Sequence, residues 1–181
     1  MVTYEELLQR QLIRKIETVE KERYVSFHSY NYKLDLNSAI RFLELNNSKY
    51  GVIAGYYAVL NVTLWYFAKF FNLKISEEDT GVHTNCQIVL EKFVKEEKLK
   101  QKIIQLLNEA KEEFVSFTVL KRRSEETLPL MLRQSADKRK RYTYYSSGRE
   151  LPQPSDQFNE AKLFLENTVK PYLLIMERLT C

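Results

Sequence analysis

Residues 50–74 read YGVIAGYYAVLNVTLWYFAKFFNLK, and no charged residue stands between Lys49 and Lys69. The stretch holds the chain's only tryptophan, Trp65, together with Tyr50, Tyr56, Tyr57 and Tyr66, and two of its four glycines. At helical spacing Val52, Ile53, Val59, Leu60, Val62, Leu64, Phe67, Phe70 and Phe71 cover the whole circumference instead of one stripe. A helix of that kind is buried, in a protein core or in a bilayer. Residues 50–68 are just long enough to span a bilayer. Against a span, they include Asn61, Thr63 and both glycines, and their aromatic residues are spread along the segment instead of gathering at its ends. No second segment of this kind accompanies them. The reading is an enclosed core helix and no membrane partner.

The rest of the composition agrees with a helical protein. A chain of 181 residues is one domain by length, enough to bury a single core. Four Gly and four Pro are few for a fold built on tight turns. Net charge is +4, too modest overall to advertise a polyanion partner. Cys86 and Cys181 have no metal-like spacing, and with only two histidines the chain lacks a usual zinc set, so neither metal nor cofactor is implied. The N-terminus, MVTYEELLQRQLIRKIE, is charged and helical in period, unlike a signal peptide. These features fit a reducing, cytoplasmic setting.

Working outward, Thr3 is placed to cap a first helix, with Glu5 and Glu6 in its first turn. Leu7, Leu8, Leu12, Ile16 and Val19 continue that helix to about Arg23. Residues 24–37 lose the period and read as a helix end or ordered connector. A short helix over 38–47, broken by Asn46, Asn47 and Ser48, leads into the central one. Beyond it, Asp79 or Thr80 caps a helix over about 82–95, and Glu96 and Glu97 mark a break. A long amphipathic helix over 99–120 turns Ile103, Ile104, Leu106, Leu107, Ala110, Phe114, Val115 and Phe117 inward. Pro129 interrupts any helix that follows. Ser155 or Asp156 caps a last helix with Phe158, Ala161, Leu163, Phe164, Leu165, Val169, Leu173, Leu174 and Met176 apolar, in which Pro171 forces a kink or a restart. No strand is expected. The sum is an all-α bundle of five to seven helices.

Polar chemistry concentrates late in the chain. Residues 121–149 carry nine Lys or Arg and three acids, a local +6 that leaves −2 for the remainder. Within them, ADKRKRYTYYSSGR (136–149) sets Lys138, Arg139, Lys140 and Arg141 before Tyr142, Tyr144 and Tyr145. Basic side chains neutralise phosphates and aromatic faces stack on bases. The competing reading is a solvated helix end whose tyrosines pack on the bundle. His83, at a helix start, is a candidate neutral base because the dipole lowers its pKa; the competing reading is that it simply helps close the helix start or bonds a neighbouring helix. Arg23 and His28, five residues apart, could together hold a phosphate and move a proton, a pairing that chance also supplies. There is no Gly-rich phosphate loop, serine elbow or paired cysteine. Asn61 and Thr63 read as satisfied core polar groups.

Taken together, AGYYAVLNVTLWYFAKFFNLK, a loop, a helix opening on GVHTN, a long helix, ADKRKRYTYY and a closing amphipathic helix resemble the HEPN domain of prokaryotes. Tyr56, Tyr57 and Ala58 match its central helix start. His83 matches the histidine after the next loop, and Ala136, Asp137, Arg139, Arg141, Tyr142 and Tyr144 match its late segment. The match covers about residues 38–178, with residues 3–30 as an N-terminal helical extension of a single domain. The resemblance implies an up-and-down bundle with a four-helix core, a homodimer, and one of two roles. One is a metal-independent ribonuclease using Arg-x(4–6)-His late in the domain. The other is a nucleotide- or RNA-binding accessory, including companions of a minimal nucleotidyltransferase of toxin–antitoxin type. No histidine follows Arg139 or Arg141, and the only Arg-x4-His, Arg23–His28, lies early in the chain. The binding role is therefore the leading expectation. A ribonuclease using His83 or His28, and a non-enzymatic module binding an acidic protein, are the alternatives.

Overall fold

The structure, a computed structural model, describes residues 2–76, 81–137 and 154–179. It is an all-α bundle. Helix α1 (Tyr4–Gln9) is followed by strand β1 (Ile13–Lys15), then α2 (Thr18–Glu44) and α3 (Ser48–Tyr66). A π turn (Phe67–Phe71) and strand β2 (Leu73–Ile75) lead to α4 (Val82–Phe93) and α5 (Glu97–Asp137). Helix α6 (Pro154–Phe164), a second π turn (Leu165–Val169) and α7 (Lys170–Arg178) close the order.

The quoted stretch is the enclosed element. Helix α3 packs against α2, α5 and the arm formed by α6 and α7 in succession, and these make a four-membered core. Val52, Ala58, Val59, Val62, Phe67 and Ala68 are shut off from solvent completely. Residues Ser48–Phe71 are long and apolar enough to cross a membrane, and most of them are buried inside this bundle. Both glycines of α3 stand where neighbours come close. A Cβ on Gly51 would lie 2.9 Å from Leu43 Cδ2, and one on Gly55 would lie 3.0 Å from Phe164 Cε1.

The N-terminal region departs from the sequence reading. Thr3 does cap α1, in a capping box: its Oγ1 accepts from the Glu6 amide and its own amide donates to Glu6 Oε2. The helix then stops at Gln9, because Gln11 turns left-handed (φ 55°). Ile13 and Ile16 are buried, and between them Ile13–Lys15 pairs antiparallel with Leu73–Ile75, Ile13 opposite Ile75. The expectation of no strand is corrected by this two-stranded ribbon. Burial falls from Ile13 through half-exposed Arg14 to exposed Lys15 without a strand's alternation, so the sequence pattern carried no strand signal here.

Residues 24–37 are not a connector but the middle of α2. Its inward positions, His28, Tyr32, Ala39 and Leu43, keep helical steps, with half-buried Leu36 between them. The apolar pattern looked broken there because a histidine and a tyrosine occupy core positions. The expected break at Asn46–Ser48 is present. Asn46 is left-handed (φ 56°), its amide bonds the Leu43 carbonyl, and Asn47 caps α3 through the Tyr50 amide.

Helix α5 is longer than expected and runs through Pro129 to Asp137. Ile103, Leu106, Leu107, Ala110 and Phe117 face the core, whereas Val115 is exposed. In the last helix Ala161, Phe164, Leu165, Val169, Tyr172, Leu173 and Met176 are buried; Leu163 and Leu174, expected inward, face solvent. The helix begins at Pro154 itself, a residue suited to a first helical position. Pro171 stands in the first turn of α7, directly after the π turn, so the α-helix restarts there as expected. The wider π turn before it bonds the Lys170 amide to the Leu165 carbonyl, loosening the turn into which the ring must fit.

Candidate functional site

The two histidines, both core residues, sit in different polar settings. His28, on α2, is shielded completely, and its Nδ1 lies 2.7 Å from Asn61 Oδ1 on α3. The Asn61 amide nitrogen donates in turn to Asp35 Oδ2, back on α2, at 2.8 Å. Because that bond fixes the asparagine's orientation, its oxygen faces the imidazole, and Nδ1 is the donor. Asn61 thus bridges a histidine and a carboxylate one further stretch along the same helix. Burial pushes the Asp35 carboxyl up, while the Asn61 bond opposes the shift.

Arg23 does not join this chain of bonds. It is exposed on α2. Five residues turn a helix by roughly 140° beyond a full turn, so Arg23 and His28 look in different directions. The Arg-x4-His spacing is present in sequence without a shared site.

His83 occupies the first turn of α4 and is only 4% exposed. Its Nε2 donates to Asn108 Oδ1 on α5 at 3.2 Å, and its Nδ1 is buried without a hydrogen-bond partner. The imidazole is held below the ordinary histidine range, chiefly by burial, with Lys111 adding repulsion and the Asn108 bond opposing. Burial therefore leads where the sequence reading named the helix dipole. Tyr56 lies parallel to this ring, centroids 6.3 Å apart, and stacks on Phe114 at 4.3 Å. Burial pushes the Tyr56 hydroxyl up to about 12, so it serves here as an aromatic wall and not as an acid. Beside Asn108, a surface hollow is lined by Lys111, Glu112, Val115 and Ser116. The arrangement offers a neutral imidazole whose Nδ1 can accept a proton or a hydrogen bond.

Two larger grooves differ in charge. One, between α5 and α6, is lined by Glu109, Glu112, Glu113 and Glu160 with Ser116 and Thr168. Burial and the nearby Glu160 push the Glu113 carboxyl up. The other lies between α2 and α3 and carries Lys33 and Lys69 with Tyr30 and Trp65. Sequence reasoning missed these lysines because they are distant in the chain and isolated among neutral residues. Among the described residues no group of three or more His, Cys, Asp or Glu could hold a metal ion.

The basic and aromatic candidates Lys138, Arg139, Lys140, Arg141, Tyr142 and Tyr144 lie outside the described residues, as do Asp79 and Thr80. The last described residue before the basic run is Asp137, at the end of α5. No family model, no curated protein and no solved structure matches the chain.

Proposed function

We propose that this is a cytoplasmic, HEPN-like nucleotide- or RNA-binding accessory, a homodimer and companion of a minimal nucleotidyltransferase. The observation that carries the reading is the run Lys138–Arg139–Lys140–Arg141 followed by Tyr142 and Tyr144. In sequence it follows Asp137, the last residue of α5, a helix whose earlier part is seated in the core. In this reading the four cations neutralise phosphates and the two tyrosines present stacking faces. The burial of both histidines, and the separation of Arg23 from His28, favour binding over cleavage.

Substituting Arg139→Glu and Arg141→Glu together weakens binding of single-stranded RNA in a filter assay. It also flattens the dependence on salt, by roughly 0.7 in logarithmic slope for each phosphate that is no longer neutralised. Absence of any RNA or nucleotide affinity in the unmutated protein at low salt overturns the reading. A second reading, metal-independent ribonuclease, draws on the neutral imidazole of His83 with its buried, unpartnered Nδ1. It requires RNA cleavage in the presence of a chelator that disappears in His83→Ala.

A further inference from the structure

The groove between α2 and α3 is built from residues the basic segment does not include. Ser26, Ser29, Tyr30 and Lys33 come from α2, Trp65 from α3, and Lys69 from the π turn that continues α3. Its lining contains two ammonium groups, four hydroxyls (two serine, two tyrosine) and three aromatic side chains, and no carboxylate. At about 590 Å³ it falls within the range of small-ligand sites.

Both lysines rest on rings. Lys69 Nζ stands 4.8 Å from the centre of the Trp65 ring and 5.2 Å from that of Phe70; Lys33 Nζ stands 5.7 Å from that of Tyr32. Among the described residues neither lysine pairs with a carboxylate. Aromatic contact positions an ammonium without neutralising it, so both charges stay available to an anion. Tyr30 is 67% exposed at the groove, and Phe70 is exposed beside Trp65. These are flat apolar faces next to uncompensated cations and hydroxyl donors, the combination that suits a base linked to a phosphate. The glutamate-lined groove between α5 and α6 would repel the same ligand.

We propose that the α2–α3 groove binds a nucleotide unit, with its phosphate on Lys33 and Lys69 and its base stacked on Tyr30. The proposal rests on the nucleotide-binding reading above and places a second contact surface on the folded bundle. One ligand chemistry has two sources here, a free nucleotide or a unit of a single strand.

Trp65 is the only tryptophan of the chain and lines this groove, so its emission is a probe placed at the site, and the lysine and Tyr30 variants assign the response to it. The test is a fluorescence titration with uridine monophosphate and, separately, with oligouridylate of about eight nucleotides, a length within the usual single-strand site size. The expected result is a saturable change in Trp65 emission. Lys33→Glu with Lys69→Glu abolishes it, and Tyr30→Ala weakens it about tenfold while Tyr30→Phe retains it. Both lysines and Tyr30 are exposed, and unchanged thermal unfolding confirms that the variants fold. A response to the monophosphate identifies a free nucleotide, and a response to the oligomer alone identifies a strand; either supports the site. RNA retained on filters by the unmutated protein, with no change in Trp65 emission and no effect of the lysine substitutions, overturns the groove and leaves the general reading standing. No retention of RNA or nucleotide at low salt overturns both.

Discussion

Thr63 shows how a polar residue is tolerated inside α3. Its hydroxyl donates to the Val59 carbonyl at 2.8 Å, which leaves its oxygen to accept from the Tyr172 hydroxyl at 2.7 Å. Tyr172 is wholly buried, and that burial pushes its hydroxyl pKa far up, so it remains a donor. Thr63→Val strands the Tyr172 hydroxyl and costs about 1–3 kcal/mol in urea unfolding. Tyr172→Phe added to it recovers most of the loss, because both partners are then apolar. His83 gives a prediction of another kind. Its proton affinity is lower folded than unfolded, so protonation favours the unfolded chain. Its effect is absent above the ordinary histidine pKa and becomes destabilising as the pH falls below it. Denaturant midpoints should drop between about pH 7.5 and about pH 5.5, and His83→Gln should reduce that drop. Asp35 and Glu113, both pushed up, act with the opposite sign in the carboxylate range, so the comparison belongs above it.

At the level of elements, α3 owes its central place to small residues where other helices cross. Gly55 faces Phe164 and Val169, which a Cβ would meet at 3.0 and 3.1 Å. Gly55→Val drives two further methyl groups into that contact and costs roughly 1–3 kcal/mol, read from the denaturation midpoint. The first π turn performs a related task at the end of α3. It closes on Asn72, left-handed at φ 54°, whose amide reaches the Phe67 carbonyl. Phe71 then packs on Phe93 of α4 at 4.3 Å, while the chain reverses into β2. The same turn carries Lys69 to the mouth of the α2–α3 groove.

Across the whole molecule, charge is divided by surface. The groove between α5 and α6 gathers four glutamates, and the groove between α2 and α3 holds two lysines with no acid. A net charge of +4 conceals this division. If phosphates meet both the lysine groove and the 138–141 run, the two pairs of charge reversals, Lys33 with Lys69 and Arg139 with Arg141, each lower the salt slope of RNA binding. Reversing all four lowers it by about the sum, since each site releases its own counterions.

The all-round apolarity of residues 50–74, together with Asn61, Thr63 and the two glycines within it, determined that this chain builds a helix enclosed by others. Local chemistry also fixed the Thr3 cap and the asparagine turn at 46–47, because caps and left-handed turns depend on neighbours in sequence. The continuity of α2 was hidden: His28 and Tyr32 occupy inward positions, and only contact with α3 shows what satisfies or covers them. The β1–β2 pairing was equally hidden, since it joins segments some sixty residues apart with three residues in each strand. The 138–144 candidates were legible as a continuous run, while the α2–α3 groove was not. Its cations and rings lie on two helices, and a charge pattern assembled by packing leaves no trace in the order of residues along either one.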